Sequence, residues 1–194
     1  KTVKVSGQFT HVSKKSIRGM VLPYIDKGLF TLSTKEISHK LKEKTWVSEA
    51  DVKRSWPDIL SVVIKERTVF ARWGDKALID SKGKMFFPSS MDGFESYPLI
   101  VGRDKACQDL LQDFKKASKI LERVSLSIHK LRAQNAALYL TVSGGMELVV
   151  SPSLYPDQLL RLVNIYANFI EGKESGVDRI DLRYKHGLAV KWAS

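Results

Sequence analysis

Residues 46–73 read WVSEADVKRSWPDILSVVIKERTVFARW, and the way this stretch divides decides the fold. Two strand-like runs, 46–57 and 58–68, meet at Pro57-Asp58, a dipeptide suited to a turn. Upstream, TVKVSG (2–7) alternates like a strand and ends in Gly7. HVSKKSIRGMVLPYI then predicts a helix with Ser13 as its N-cap ahead of Ile17, Met20 and Val21, and with Pro23 ending or bending it. Asp26-Lys27-Gly28 reads as a turn. In LSTKEISHKLKEK, Ser33 and Glu36 have the spacing of a capping box in front of a stripe of Ile37 and Leu41. The order β-α-α-β-β predicts an α+β unit with two helices on one face of a small sheet.

From residue 69 the texture changes. VFARW, KALID, KMFFP and YPLIV are short strands punctuated by Gly74-Asp75, Ser81-Lys82-Gly83 and Ser89-Ser90, the pattern of a meander. A long helix follows over 104–123, burying Leu110, Leu111, Phe114, Ile120 and Leu121. SLSIHKLRA, AALYLTV and MELVV are further strands, the last two joined at Ser143-Gly144-Gly145. A second helix over 156–171 leads into the terminal stretch VDRIDLRYKHGLAVKWAS (177–194). The predicted fold class is therefore α+β. A β-α-α-β-β domain over 1–69 is followed at once by a second α+β domain over 70–194, with a mainly antiparallel sheet and two helices.

The terminal stretch alternates twice. Ile180, Leu182 and Tyr184 share one phase; after Lys185-His186-Gly187, Leu188, Val190 and Trp192 share another. This predicts a hairpin whose last strand lies at a sheet edge, where unpaired N–H and C=O groups invite another chain. Such an edge is either protected or a docking site.

Composition narrows the function classes. The 194 residues carry a net charge of +11. Residues 1–70 hold 14 Lys or Arg against 7 Asp or Glu, whereas 71–194 hold 18 against 14. The first third is the basic part, and its partners by charge alone are nucleic acid or an anionic membrane surface. No apolar run approaches the roughly 20 residues of a membrane span. The chain begins at Lys1 and enters a strand directly, the pattern of an excised fragment with an anchor or targeting segment upstream.

Chemistry is sparsely represented. Cys107 is the single cysteine and sits in helical surroundings as a small buried thiol; no disulfide or multi-cysteine metal site is possible. His11, His39, His129 and His186 lack metal-ligand spacing, and neither nucleophile elbows nor phosphate loops occur. Asp178 and Asp181, three apart on a strand, point to opposite faces and make a poor acid–base pair. No catalytic residue, metal or cofactor is assigned, and the chain does not read as an enzyme. Trp46, Trp56 and Trp73 read as core; Trp192 has too little sequence after it to be covered.

Several runs together resemble the bacterial cell-division family FtsQ, also called DivIB. They are VKVSGQFTHVSKKSI (3–17), WVSEADVKRSWPDIL (46–60), ERTVFARW (66–73), LIDSKGKMF (78–86), PLIVG (98–102) and VDRIDLRYKHGLAVKW (177–192). The resemblance implies a POTRA domain followed by a β domain, both in the periplasm, and a preceding inner-membrane anchor outside this chain. It implies a non-enzymatic scaffold of the division septum. FtsB (DivIC) and FtsL would bind the C-terminal strand, and other divisome membrane proteins the POTRA domain, with no nucleic-acid partner. Carried over by motif, the partner-binding residues are Tyr184, His186, Gly187, Leu188, Ala189, Val190 and Trp192. Relatives also carry basic partner contacts before the 136–142 strand. Here only Arg132 remains of these, set apart from the main group and followed by Ala133-Gln134-Asn135. Val69 and Ala136-Ala137 also depart from the family pattern, where proline and tryptophan are usual. The basic POTRA surface is expected to lie against the membrane. The alternative reading is a basic module for nucleic acid or anionic lipid.

Overall fold

A computed structural model describes residues 2–26, 33–55, 59–185 and 187–193. The expected turns at Lys27-Gly28 and Pro57-Asp58, together with Trp56 and His186, lie outside the described residues. The chain forms two compact units, Lys1–Thr68 and Val69–Ser194.

The first unit contains β1 (Thr2–Gly7), α1 (Lys14–Asp26), α2 (Thr34–Lys42), β2 (Val47–Ser55) and β3 (Ile59–Glu66). β3 is central, parallel to β1 and antiparallel to β2. Its alternate residues Leu60, Val62 and Ile64 are buried, whereas Val63 between them is exposed, so the helices cover one face only. Ile17, Val21 and Ile25 from α1, with Ile37 and Leu41 from α2, complete that core.

Caps fix where the helices begin. The Ser13 hydroxyl accepts the Ser16 N–H at 3.1 Å, and the Ser33 hydroxyl accepts the Glu36 N–H at 3.2 Å. Pro23 does not end α1, which runs on to Asp26. The Glu66 carboxylate, at the end of β3, accepts the N–H groups of Thr10, His11 and Val12 at 2.8–3.2 Å and so anchors the entry to α1.

The second unit is one nine-stranded sheet. In chain order it contains β4 (Val69–Trp73), β5 (Ala77–Asp80), β6 (Met85–Phe86), β7 (Leu99–Val101) and α3 (Cys107–Leu121). There follow β8 (Ile128–Gln134), β9 (Ala137–Val142), β10 (Glu147–Val150), α4 (Tyr155–Phe169), β11 (Val177–Asp181) and β12 (Ala189–Trp192). The spatial order is β12-β11-β10-β9-β8-β7-β4-β5-β6. Pairs β4/β7, β7/β8 and β10/β11 are parallel and the others antiparallel. One core contains α3 through Leu110, Leu111 and Phe114, α4 through Leu159 and Leu162, and the inward residues of the strands. Cys107 is buried here, and burial pushes its thiol pKa up, as suits an inert side chain.

Two local expectations are corrected. The meander ends at β6: the chain crosses back, and β7 pairs in parallel on the far side of β4, where the Arg72 N–H donates to the Pro98 carbonyl at 2.8 Å. Turn residues mark where a strand stops, not which neighbour the next one chooses. The terminal hairpin is also looser than Lys185-His186-Gly187 implied. β11 stops at Asp181, and residues 182–188 link it to β12. Leu182 remains in the core, but Tyr184 has left the sheet.

Candidate functional site

β12 is the first strand of the sheet and, among the described residues, has one neighbour, β11. Their register is antiparallel, with Ile180 opposite Val190 and Arg179 opposite Lys191, and a bulge between Val177 and Arg179. The Ala193 N–H donates to the Gly176 carbonyl at 2.8 Å. Alternation along the strand then turns the N–H and C=O groups of Val190 and Trp192 away from β11, toward the open edge. That row of unpaired donors and acceptors is what a further strand would require.

The side chains sort by face. Val190 and Leu188 pack against the core beneath the sheet, and Ala189 and Lys191 lie on the other face. Ala189 presents only a methyl group. Trp192 is 50% exposed; it stands opposite Val177, with its ring against Gly176. Tyr184, 58% exposed, projects from the linking loop at the other end of the strand. The edge is thus bracketed by two half-free aromatic rings, and Gly187 lies in the loop between Tyr184 and β12.

The loop is held from below by a residue that sequence reading missed. Arg161 of α4 donates to the carbonyls of Leu182, Tyr184 and Lys185 at 2.8–3.0 Å. Helical periodicity marks Arg161 only as one more polar position on an amphipathic helix. Its targets are backbone atoms some 20 residues onward (about one strand and a loop later), and composition carries no trace of them.

Acid–base pairs bind β12 and the loop to β11. Lys191 Nζ lies 2.7 Å from Asp178, and Arg183 bonds both Asp181 oxygens at 2.6–3.2 Å. These hydrogen bonds hold the Asp178 and Asp181 carboxyls below the usual carboxylate range. The two aspartates therefore serve as clasps, each occupied by its own cation.

Arg132 is not part of the edge. It lies on β8, four strand spacings from β12, roughly 19 Å at about 4.8 Å per strand. Its guanidinium stands 4.7 Å from the Tyr139 ring centroid and 3.5 Å from Glu147, which also pairs with Arg179 at 2.8 Å. A polar row therefore runs across the helix-free face of the sheet from Arg132 to β11.

Comparison with known proteins bears on the chain from end to end. Residues 1–67 match a family model described as "POTRA domain, FtsQ-type", and 71–183 match "Cell division protein FtsQ/DivIB, C-terminal". The chain belongs to the FtsQ/DivIB family. It is 26% identical over 193 residues to cell division protein FtsQ of Cellvibrio japonicus, covering 99% of this chain and 60% of that protein. Against FtsQ of Methylomonas methanica the identity is 25% over 191 residues, covering 98% and 77%. Against FtsQ of Alcanivorax borkumensis it is 30% over 169 residues, covering 86% and 65%. The chain thus spans between three fifths and about three quarters of these relatives' lengths. The FtsQ/DivIB family is a non-enzymatic cell-division family. The first unit is its POTRA domain. Among the described residues no helix is long and apolar enough to cross a membrane.

Proposed function

We propose that this chain is the periplasmic part of a single-pass inner-membrane scaffold at the division septum, which recruits FtsB (DivIC), and FtsL with it, by strand addition to β12. Other divisome membrane proteins would meet the POTRA unit. The observation that carries the reading is the outward-facing backbone of Val190 and Trp192 on the terminal strand of the sheet. A partner strand laid there gains ladder hydrogen bonds, while Tyr184 and Trp192 supply aromatic area at its two ends. Gly187 and Ala189 keep the approach unobstructed, and Leu188 and Val190 hold the strand to the core; His186 belongs to the proposed partner-binding set by its place in the sequence alone. Arg132, on the helix-free face, would meet a part of the partner that continues past the strand.

The test is binding and stability measured on the same proteins. Tyr184→Ala and Trp192→Ala should each weaken binding of the FtsB extracytoplasmic segment by about 2 kcal/mol or more. Thermal stability should change much less, because half-exposed residues support little core. A Trp192→Ala protein that loses stability yet binds with unchanged affinity would overturn the assignment.

A further inference from the structure

The POTRA unit presents two faces of unequal charge. The helix-free face of its sheet carries Lys4, Lys53 and Lys65 against Glu49 and Asp51. The outward side of the helical layer carries Lys14, Lys15, Lys35, Lys40 and Lys42 against Glu36 and Glu43, all exposed, while Arg18 of α1 donates to the Val3 carbonyl of β1 at 3.3 Å. Lys40 is paired with Glu43 at 2.7 Å. The excess positive charge is therefore on the helices.

On that layer the charge has a shape. Lys35, His39 and Lys42 stand at i, i+4 and i+7 on α2, so they share one flank of the helix. They line a groove of about 340 Å³ between α2 and β2, together with Thr34 and Ser38. Ala50 and Val52 also line it. So does Asp51, whose carboxylate lies 2.6 Å from Lys53 Nζ. The α1 cations belong to the same helical layer, and Leu22, 46% exposed beside exposed Pro23, gives that layer an apolar point.

The geometry points to an anionic phospholipid surface as the partner of this helical layer, with one headgroup phosphate seated in the α2–β2 groove between Lys35, His39 and Lys42. A phosphate offers several acceptors to donors that converge from one helix flank. The spread of the remaining cations fits a charged plane better than a single ion. Leu22 fits the acyl boundary of a bilayer, as on helices that lie in an interface. A nucleic-acid duplex would engage the same cations but leave Leu22 without an apolar partner. This inference stands apart from the edge-strand reading, since β12 takes no part in it.

The experiment is flotation of the intact 194-residue chain with phosphatidylcholine vesicles, with and without phosphatidylglycerol. Binding is expected only with phosphatidylglycerol, falling as salt is raised. Lys35→Gln with Lys42→Gln should weaken it on the order of tenfold or more, whereas Lys53→Gln with Lys65→Gln on the opposite face should change it little. Leu22→Ser should weaken binding further. Circular dichroism melts of each variant check that the fold persists, and the salt titration of the unsubstituted chain reads the same interaction without any substitution. Equal binding to pure phosphatidylcholine, equal losses from the two lysine pairs, or duplex DNA displacing the chain from the vesicles would each overturn the proposal.

Discussion

At the scale of single residues, Arg161 and the two clasped aspartates hold β12 and the loop before it against the rest of the sheet. Arg161→Ala frees three carbonyls at once and lets residues 182–185 move. The expected outcome is a loss of FtsB affinity of about 1–3 kcal/mol through Tyr184, with recovery in part by Arg161→Lys, which restores charge but not the planar fork. Titration against an FtsB segment checks it; unchanged affinity in Arg161→Ala would show that the loop needs no latch. Asp178 and Asp181 have folded pKa values below their unfolded ones. Their contribution is therefore present above the unfolded value, near pH 4, and is lost as pH falls through the lower folded values. The gap in urea midpoint between the wild-type and Asp181→Asn proteins should be full at neutral pH and shrink as the pH is lowered below about 4. Separate from the edge, Asn135 and Ala136 form the β8–β9 turn with φ of 50° and 56°. Ala136→Gly should stabilise the second unit by up to about 1 kcal/mol, since glycine takes this conformation without penalty, and a thermal melt reads the gain.

At the scale of elements, what could be read in the sequence depended on how local the cause was. Ser13 and Ser33 cap helices through bonds made three residues onward, and both helix starts follow from the sequence. The alternation of Leu60, Val62 and Ile64 fixes β3 for the same reason. β7 is legible as a strand, but its parallel pairing is not, because its partner, β4, lies a whole meander away in sequence. The end of β11 at Asp181 escaped because the residue that captures the following carbonyls lies on α4. At the candidate site, Trp192 and Val190 are legible as edge-strand residues, whereas Tyr184 alternates in sequence with a strand it does not join. The orientation of β12 leads to a prediction about backbone alone. Proline at 191 removes an N–H that faces β11 and should lower stability, whereas proline at 190 removes one that faces outward and should be tolerated.

At the scale of the whole molecule, the two units have separate hydrophobic cores, one built around β3 and the other around the nine-stranded sheet. We expect them to behave as separate domains over 1–69 and 70–194. Calorimetry of the intact chain should then resolve two transitions, each matching that of the corresponding fragment. A single transition that neither fragment reproduces would contradict this. The division of labour that follows is physical: a basic helical layer on the first unit, suited to a charged surface, and an open sheet edge on the second, suited to another strand.

Strand addition at β12 is tested most directly by Val190→Pro, which deletes one outward-facing N–H while sparing the bonds to β11. With FtsB segment titrated into the wild-type and Val190→Pro proteins, the predicted result is a near-wild-type melting temperature with binding reduced at least tenfold, about 1.4 kcal/mol or more. A Val190→Pro protein that melts normally and binds as tightly as wild type would contradict docking through the backbone of this edge.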